Sequence, residues 1–158
     1  MSLLGHAACW SRCQRVPAKA NILIADDDVE LGRYTADVCR DAGHSAASVT
    51  AGAEALALLR QRRFDLLISD VRMPGLDGIE LMGRVKQTWP DVAIIAVTAF
   101  GSVHTAERAL RAGAYEYLQK PFQPEELHAR IARALERRET MLERARLRDE
   151  VARRLGKP

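Results

Sequence analysis

The stretch Ile22-Leu23-Ile24-Ala25-Asp26-Asp27-Asp28 joins a short apolar run directly to three carboxylates. Three further apolar runs lie within 66–70, 92–98 and 115–121, and each is followed by a residue of chemical interest: Asp70, Thr98 and Lys120. Continuous apolar runs of strand length are what a parallel sheet covered on both faces requires. Because ligands of such sheets bind beyond the carboxyl ends of the strands, we expect carboxylates, a hydroxyl and an ammonium to meet at one edge.

Helical patterns separate these runs. Leu31, Tyr34 and Val38 recur at helical spacing, and Gly43 stands where a helix C-terminal cap is expected. The pattern also predicts a fourth helix that bears Val103, Ala106, Leu110 and Gly113. Strand and helix alternate five times, which predicts a doubly wound α/β sheet.

The last helix is expected to start near Pro124 and to run for about 30 residues, some 45 Å, because no Gly or Pro follows until Gly156. That length exceeds what one small sheet can cover. We therefore divide the chain into a flexible leader (1–20), one folded domain (21–135) and a helical linker extension (136–158). The irregular apolar repeat of the extension leaves a coiled coil and a solvated helix both open.

The net charge of +3 is unevenly distributed. Residues 1–20 carry three basic and no acidic side chains, residues 133–158 carry nine basic and five acidic ones, and residues 21–132 carry twelve basic and sixteen acidic ones. The central part is therefore acidic, and the basic C-terminal tail, residues 133–158, carries no interleaved aromatic residue. We do not expect direct nucleic acid binding by this chain.

The cysteines and the leader predict a cytoplasmic location. Three cysteines, an odd number, without a convincing secretory signal favour a reduced compartment. No apolar run is long enough to span a membrane. His6, Cys9 and Cys13 form too weak a pattern to predict a metal site, so an unstructured leader is the simpler interpretation.

The polar residues at the strand ends suit a metal ion and a phosphoryl group. Asp26, Asp27 and Asp70 offer the carboxylate oxygens that Mg2+ prefers, whereas Asp28 is placed to cap the next helix. A carboxylate can attack phosphorus and form an acyl phosphate. Because phosphoryl transfer depends on positioning and charge neutralisation, Lys120 and Thr98 fit as donors to phosphoryl oxygens.

Four motifs resemble the receiver domain of two-component response regulators: residues 22–28, 70–78, 98–99 and 120–122. The resemblance extends from Asn21 to about Arg133, and residues 98–118 are similar to the NtrC subgroup. It implies a five-stranded parallel sheet of flavodoxin-like order 2-1-3-4-5. The sequence is thus identified as a candidate receiver with an extended C-terminal helix.

The resemblance also assigns roles to individual residues. It implies that Asp70 is the phosphoacceptor and that Asp27, Asp70 and the backbone carbonyl of Arg72 ligate Mg2+, with Asp26 acting largely through bound water. Thr98 and Lys120 would hold the phosphoryl oxygens, and Tyr117 would be an aromatic switch that turns inward as Thr98 moves. A cis peptide bond between Lys120 and Pro121 is expected as well.

The function implied is that of a phosphorylation-activated switch in transcriptional control, supplied by a histidine kinase or a phosphotransfer protein. The domain would catalyse only its own phosphorylation and dephosphorylation. We expect a homodimer, formed through the face of the fourth helix, fifth strand and fifth helix or through the extension, with a monomer as the alternative. We expect the output domain to be missing from this chain.

Two other functions compete with this interpretation. In a haloacid-dehalogenase-type phosphohydrolase, Asp26 would be the nucleophile and Asp28 its partner, but Glu30 replaces the usual Thr or Val and Asp70 has no role. A degenerate receiver used only for dimerisation is disfavoured by the complete set of site residues.

Overall fold

The computed structural model describes residues 19–99 and 101–156. Most of the expected leader, including the histidine and cysteines considered there as metal ligands, lies outside the described residues. Within them, five strands and five helices alternate along the chain. None of the helices in these two ranges combines the length and the apolar character needed to cross a membrane.

The five strands form a single sheet. They are β1 Asn21–Ala25, β2 Ser45–Val49, β3 Leu66–Asp70, β4 Ala93–Thr98 and β5 Glu116–Gln119. Their order is β2-β1-β3-β4-β5, and every neighbouring pair is parallel. This confirms the predicted doubly wound sheet and brings the carboxyl ends of β1 and β3 side by side, with Ile24 paired to Ile68.

Helices cover both faces of the sheet. They are α1 Val29–Asp41, α2 Gly52–Gln61, α3 Gly78–Thr88, α4 Val103–Arg111 and α5 Pro124–Arg154. Alternate residues of each central strand point to opposite faces, so Ile24 packs with α1 and α5 while Leu23 packs with α2 and α3. The near-continuous apolar runs in the sequence are therefore explained by a sheet buried on both sides.

Helix α1 begins and ends largely as the sequence predicts. Asp28 is its N-cap, and Gly43, with a φ of 90°, follows its C-cap residue Ala42. Tyr34, however, is 42% exposed and does not belong to the core face, which is formed by smaller side chains. One of these is Cys39, which is fully buried, and burial raises the pKa of its thiol to about 12.

Helix α4 forms as predicted, but its larger apolar residues are exposed. Val103 is 78% exposed and Leu110 is 49% exposed, whereas Ala109 is the residue of this helix that is buried. The nine-residue helix meets its neighbours through this small side chain, and its larger apolar residues lie outside. Val103 and Leu110 are therefore exposed apolar residues on the helix that packs against β5.

Helix α5 is continuous over 31 residues, as the sequence predicts. At 1.5 Å per residue it is about 46 Å long. Its buried residues are Leu127, Ile131, Ala134 and Leu135, all in its first half. The helix has no break near residue 135, so the boundary between the domain and the extension remains a prediction.

Candidate functional site

The three carboxylates after β1 have different environments. Asp26 is buried, and its Oδ1 accepts a hydrogen bond from the Asp28 N–H at 2.9 Å. Asp27 is exposed. The Asp28 carboxylate accepts hydrogen bonds from the N–H groups of Glu30 and Leu31, which satisfies donors of the first turn of α1. Asp28 is therefore a helix cap, as expected, and its carboxylate is engaged by the helix.

Asp70 is the last residue of β3 and is buried. Its Oδ1 accepts a hydrogen bond from the Arg72 N–H at 3.1 Å, so the loop after β3 turns around this carboxylate. Its backbone carbonyl accepts a hydrogen bond from the Ser69 hydroxyl at 3.0 Å. The acid is thus fixed both by its strand and by the loop that follows.

Gly78 also supports the loop after β3, through contacts with the backbone of Asp70 and Val71. This role was not predicted from the sequence. The Gly78 N–H donates to the Val71 carbonyl at 3.1 Å. A Cβ at this position would overlap the Asp70 carbonyl oxygen and lie 2.8 Å from Val71 Cα. Only glycine fits this close backbone approach. The sequence shows a turn here, but the contact with Asp70 depends on the fold.

Lys120 brings the carboxylates of two strands together. Its Nζ lies 2.8 Å from Asp26 Oδ2 and 2.9 Å from Asp70 Oδ2, and the lysine side chain is only 13% exposed. Its backbone N–H donates to the Thr98 carbonyl at 2.7 Å, which aligns the end of β5 with that of β4. The Lys120-Pro121 bond is cis, as expected.

Burial and ion pairing shift the pKa values of Asp26 and Lys120. Burial raises the pKa of Asp26, although hydrogen bonds from Lys120 and from the Asp28 N–H oppose the shift. For Lys120, burial alone lowers the pKa, but the hydrogen bonds to Asp26 and Asp70 outweigh it and the net pKa is raised. The lysine therefore remains an ammonium, held by the carboxylates around it.

Three carboxylates can share one cation. Oxygen atoms of Asp26, Asp27 and Asp70 all lie within 4.8 Å of one another. Hard divalent cations prefer such oxygen ligands, so the donor set fits a metal ion of this type. Arg72, whose carbonyl the family resemblance adds as a ligand, follows Asp70 in the same loop.

The remaining two predicted residues lie on β4 and β5. Thr98 ends β4 and is 2% exposed. The Tyr117 hydroxyl is enclosed, and it forms no hydrogen bond of normal geometry with any of the described residues. Burial raises the pKa of Tyr117, while the nearby Thr98 hydroxyl acts in the opposite direction. The edge formed by β1, β3, β4 and β5 therefore brings the predicted residues into one region.

Residues 22–132 match the model of the response regulator receiver domain. The chain belongs to this family. The match covers the whole sheet and the first part of α5, and the expectation from the sequence motifs is confirmed. A receiver domain is a phosphorylation-dependent signalling switch, and it is a regulatory domain rather than a classical enzyme.

Known relatives of this receiver include members of the NtrC subgroup. The transcriptional regulatory protein ZraR of Salmonella typhimurium is 40% identical over 120 residues, which cover 76% of this chain and 27% of that protein. The crystal structure of NtrX from Brucella abortus in complex with ADP has a TM-score of 0.78 and 31% identity, covering 82% of this chain and 30% of that chain. The solution structure of the beryllofluoride-activated NtrC4 receiver domain dimer has a TM-score of 0.71 and 30% identity, covering 75% of this chain and 98% of that chain.

The phosphohydrolase alternative is not favoured. It needs Asp28 in the site, yet the carboxylate of Asp28 caps α1. It also leaves Asp70 without a role, although Asp70 is bonded to Lys120.

Proposed function

We propose that Asp70 of this receiver is the phosphoacceptor of a signalling switch, and that a histidine kinase or a phosphotransfer protein supplies the phosphoryl group. The observation that carries the proposal is the position of Lys120, whose ammonium lies 2.9 Å from Asp70 Oδ2. Negative charge increases on the oxygens around phosphorus during transfer. A fixed ammonium at the attacking carboxylate is suited to stabilise that charge.

In the proposed reaction, an Asp70 oxygen attacks the phosphorus of a phosphohistidine. The P–N bond breaks, and the departing imidazole keeps the bonding electron pair and takes up a proton. The product is an acyl phosphate on Asp70. Lys120 and the Thr98 hydroxyl donate hydrogen bonds to its phosphoryl oxygens. The domain catalyses only the formation and loss of its own phosphoryl group.

The cation proposed for this site is Mg2+. We infer that Asp27, Asp70 and the carbonyl of Arg72 bind it directly and that Asp26 acts largely through bound water. The proximity of three carboxylates supports this inference, because Mg2+ commonly takes one or two of them and keeps waters for the rest. When bound, the ion neutralises charge on the phosphoryl oxygens.

The response is proposed to pass from Asp70 to Thr98 and Tyr117. Phosphorylation adds a charge of about -1.5 to -2 at the carboxyl edge of the sheet. A Thr98 hydroxyl drawn towards that charge changes the space beside Tyr117. The Tyr117 hydroxyl is enclosed and lies near the Thr98 hydroxyl, so a movement of Thr98 changes its surroundings. This supports a two-state side chain that a phosphoryl group can bias.

The proposed output of the receiver is a change in homodimerisation. Exposed apolar residues on α4, Val103 and Leu110, offer one surface, and the exposed extension of α5 offers another. The similar NtrC4 receiver domain is a dimer in its beryllofluoride-activated form. Sedimentation with and without beryllofluoride should show a rise in dimer fraction for the full chain. Monomers under both conditions would remove the proposal, and a chain ending at Leu142 reports whether residues 143–158 are needed.

The activity of the whole protein is also a proposal, because this chain spans 27% of the length of ZraR. We propose a role in transcriptional control through an output domain that the sequence does not include, in the cytoplasm. The central domain is acidic, so DNA contact would belong to the output domain.

Intact mass after incubation with acetyl phosphate and Mg2+ tests the proposed acceptor. We expect the wild type to gain one phosphoryl group, Asp70→Asn to gain none, and Asp26→Asn to retain the gain. Phosphate-ester turnover that depends on Asp26 would instead support the phosphohydrolase. Equal modification of wild type and Asp70→Asn would overturn the assignment of Asp70.

A further inference from the structure

Helix α5 is attached to the receiver at a point beyond its buried residues. The Nε of Arg138 donates to the Asp91 carbonyl at 2.6 Å, and its guanidinium lies 3.2 Å from Asp65 Oδ1. Asp65 precedes β3 and Asp91 precedes β4, so both contacts lie at the amino edge of the sheet, opposite Asp70. Asp65 Oδ2 also accepts the Asn21 N–H at 2.8 Å. Arg138 is therefore connected to the starts of the three central strands.

A second contact lies one helical turn further along α5. The Tyr115 hydroxyl donates to Met141 Sδ at 2.8 Å, and the Arg137 guanidinium lies 4.4 Å from the centre of the Tyr115 ring. The Lys86 ammonium of α3 lies 5.2 Å from the same ring. The Tyr115 N–H donates to the Ile94 carbonyl, which ties the residue to β4. Tyr115 thus joins α3 and β4 to α5.

The part of α5 after Met141, unlike the part before it, has no polar contact with the sheet among the described residues. Among the described residues of this segment, the ion pairs Arg146–Glu143 and Arg154–Glu150 are internal to the helix, and no hydrogen bond or ion pair reaches the sheet. Leu147, Val151 and Leu155 are exposed. The helical residues 142–154 therefore extend about 20 Å beyond the last contact.

We propose that Arg138 and Met141 form a latch that makes α5 part of the rigid receiver as far as Met141. The latch fixes the direction in which residues 142–154 leave the domain, and Arg138 is a positioning residue for this segment. An exposed ion pair alone would contribute little. Arg138 is different because its side chain is only 22% exposed, and it donates a charge-assisted hydrogen bond to a carbonyl while it forms an ion pair with a carboxylate. The proposal requires no phosphorylation.

Amide hydrogen exchange of the full chain tests the latch. We expect residues 136–141 to exchange at least about tenfold more slowly than residues 145–154, because contacts with the domain oppose local opening. Arg138→Met should abolish most of this difference. Arg146→Met, which removes only an exposed pair within the helix, should leave it unchanged. Equal exchange of the two segments in the wild type would overturn the proposal.

A distance measurement tests the direction of the helix. Spin labels are placed on cysteines introduced at the exposed positions Glu54 and Arg148. Cys9 and Cys13 are replaced by serine so that they are not labelled, and Cys39 is retained because it is buried. In the wild type we expect a narrow distribution of distances between the two labels. The distribution should broaden in Arg138→Met. It should be narrower in Arg138→Lys than in Arg138→Met, because lysine can restore one of the two contacts of Arg138. If Arg138→Met does not fold, Met141→Ala provides the second variant. A distribution unaffected by Arg138→Met and by Met141→Ala would contradict the positioning role.

Discussion

The Nζ of Lys120 lies 2.9 Å from Asp70 Oδ2, although the two residues are 50 positions apart in the sequence. The same ammonium also contacts Asp26, so it compensates a cluster of carboxylates. We predict that Lys120→Met lowers the free energy of unfolding by about 3 kcal/mol in the absence of divalent cations, because it leaves buried carboxylates unpaired. Chemical unfolding measures the loss, with Lys19→Met as the exposed control. Equal stability of the two variants would contradict this prediction.

Mg2+ is predicted to stabilise the folded chain. Binding to assembled carboxylates adds about 1.4 kcal/mol at ten times the dissociation constant and about 2.7 kcal/mol at a hundred times. Thermal unfolding with increasing Mg2+ measures this gain. Asp27→Ala should remove most of it, whereas Asp28→Ala should lower stability through loss of the helix cap but retain the Mg2+ response. The reverse pattern would show that the metal ligands are wrongly assigned.

Two glycines of α3 give a matched pair of variants. Gly78→Ala places a methyl group against the Asp70 carbonyl, so we expect a loss of about 3 kcal/mol or more and poor phosphorylation. At Gly83 an added Cβ has no neighbour within 4 Å, and alanine is the better helix former by about 1 kcal/mol. Gly83→Ala should therefore be stabilising. Urea unfolding distinguishes the two, and a tolerated Gly78→Ala would refute the close approach.

His44 is predicted to make stability depend on pH. Its Nδ1 accepts the Ala20 N–H at 3.1 Å, which requires the neutral ring. Burial lowers the pKa of His44, and nearby His128 adds to the shift while Asp65 opposes it. The unfolded chain therefore binds the proton more readily than the folded one. This contribution to stability is complete above the unfolded pKa of 6.5 and is lost as pH falls through the lower folded pKa.

Urea unfolding between pH 8 and pH 5 measures this dependence. His44→Gln keeps an acceptor for the Ala20 N–H but cannot titrate, so its stability should fall less over this range. His104→Gln, at an exposed position, should behave like the wild type. Parallel pH profiles of wild type and His44→Gln would exclude His44 as the cause.

The site could be predicted because its residues follow strands whose ends must meet. Asp70, Thr98 and Lys120 each come at or just after the carboxyl end of an apolar run, and a parallel sheet brings such ends together regardless of sequence separation. The contact between Gly78 and Asp70 could not be predicted, since it depends on how the loop after β3 folds back. Arg138 could not be predicted either, because its partners precede strands far away in the chain.

The inner face of α4 could not be predicted either. Helical periodicity identifies an apolar stripe, but it does not say whether the sheet or the solvent covers that stripe. On α4 the residue that packs inward is Ala109, and Val103 and Leu110 face outward. A second signal, such as the small size of Ala109, is needed to distinguish the buried face of α4 from its exposed face.

The rate at which a thiol reagent modifies Cys39 can report transient opening of α1. Its thiol is 0% exposed with a pKa of about 12, so a thiol reagent reacts only when α1 separates from the sheet. In a chain with Cys9→Ser and Cys13→Ser, the rate of modification reports how often that separation occurs. Because α1 packs on the same face of the sheet as α5, changes in this rate would register a loosening of that face without any added probe.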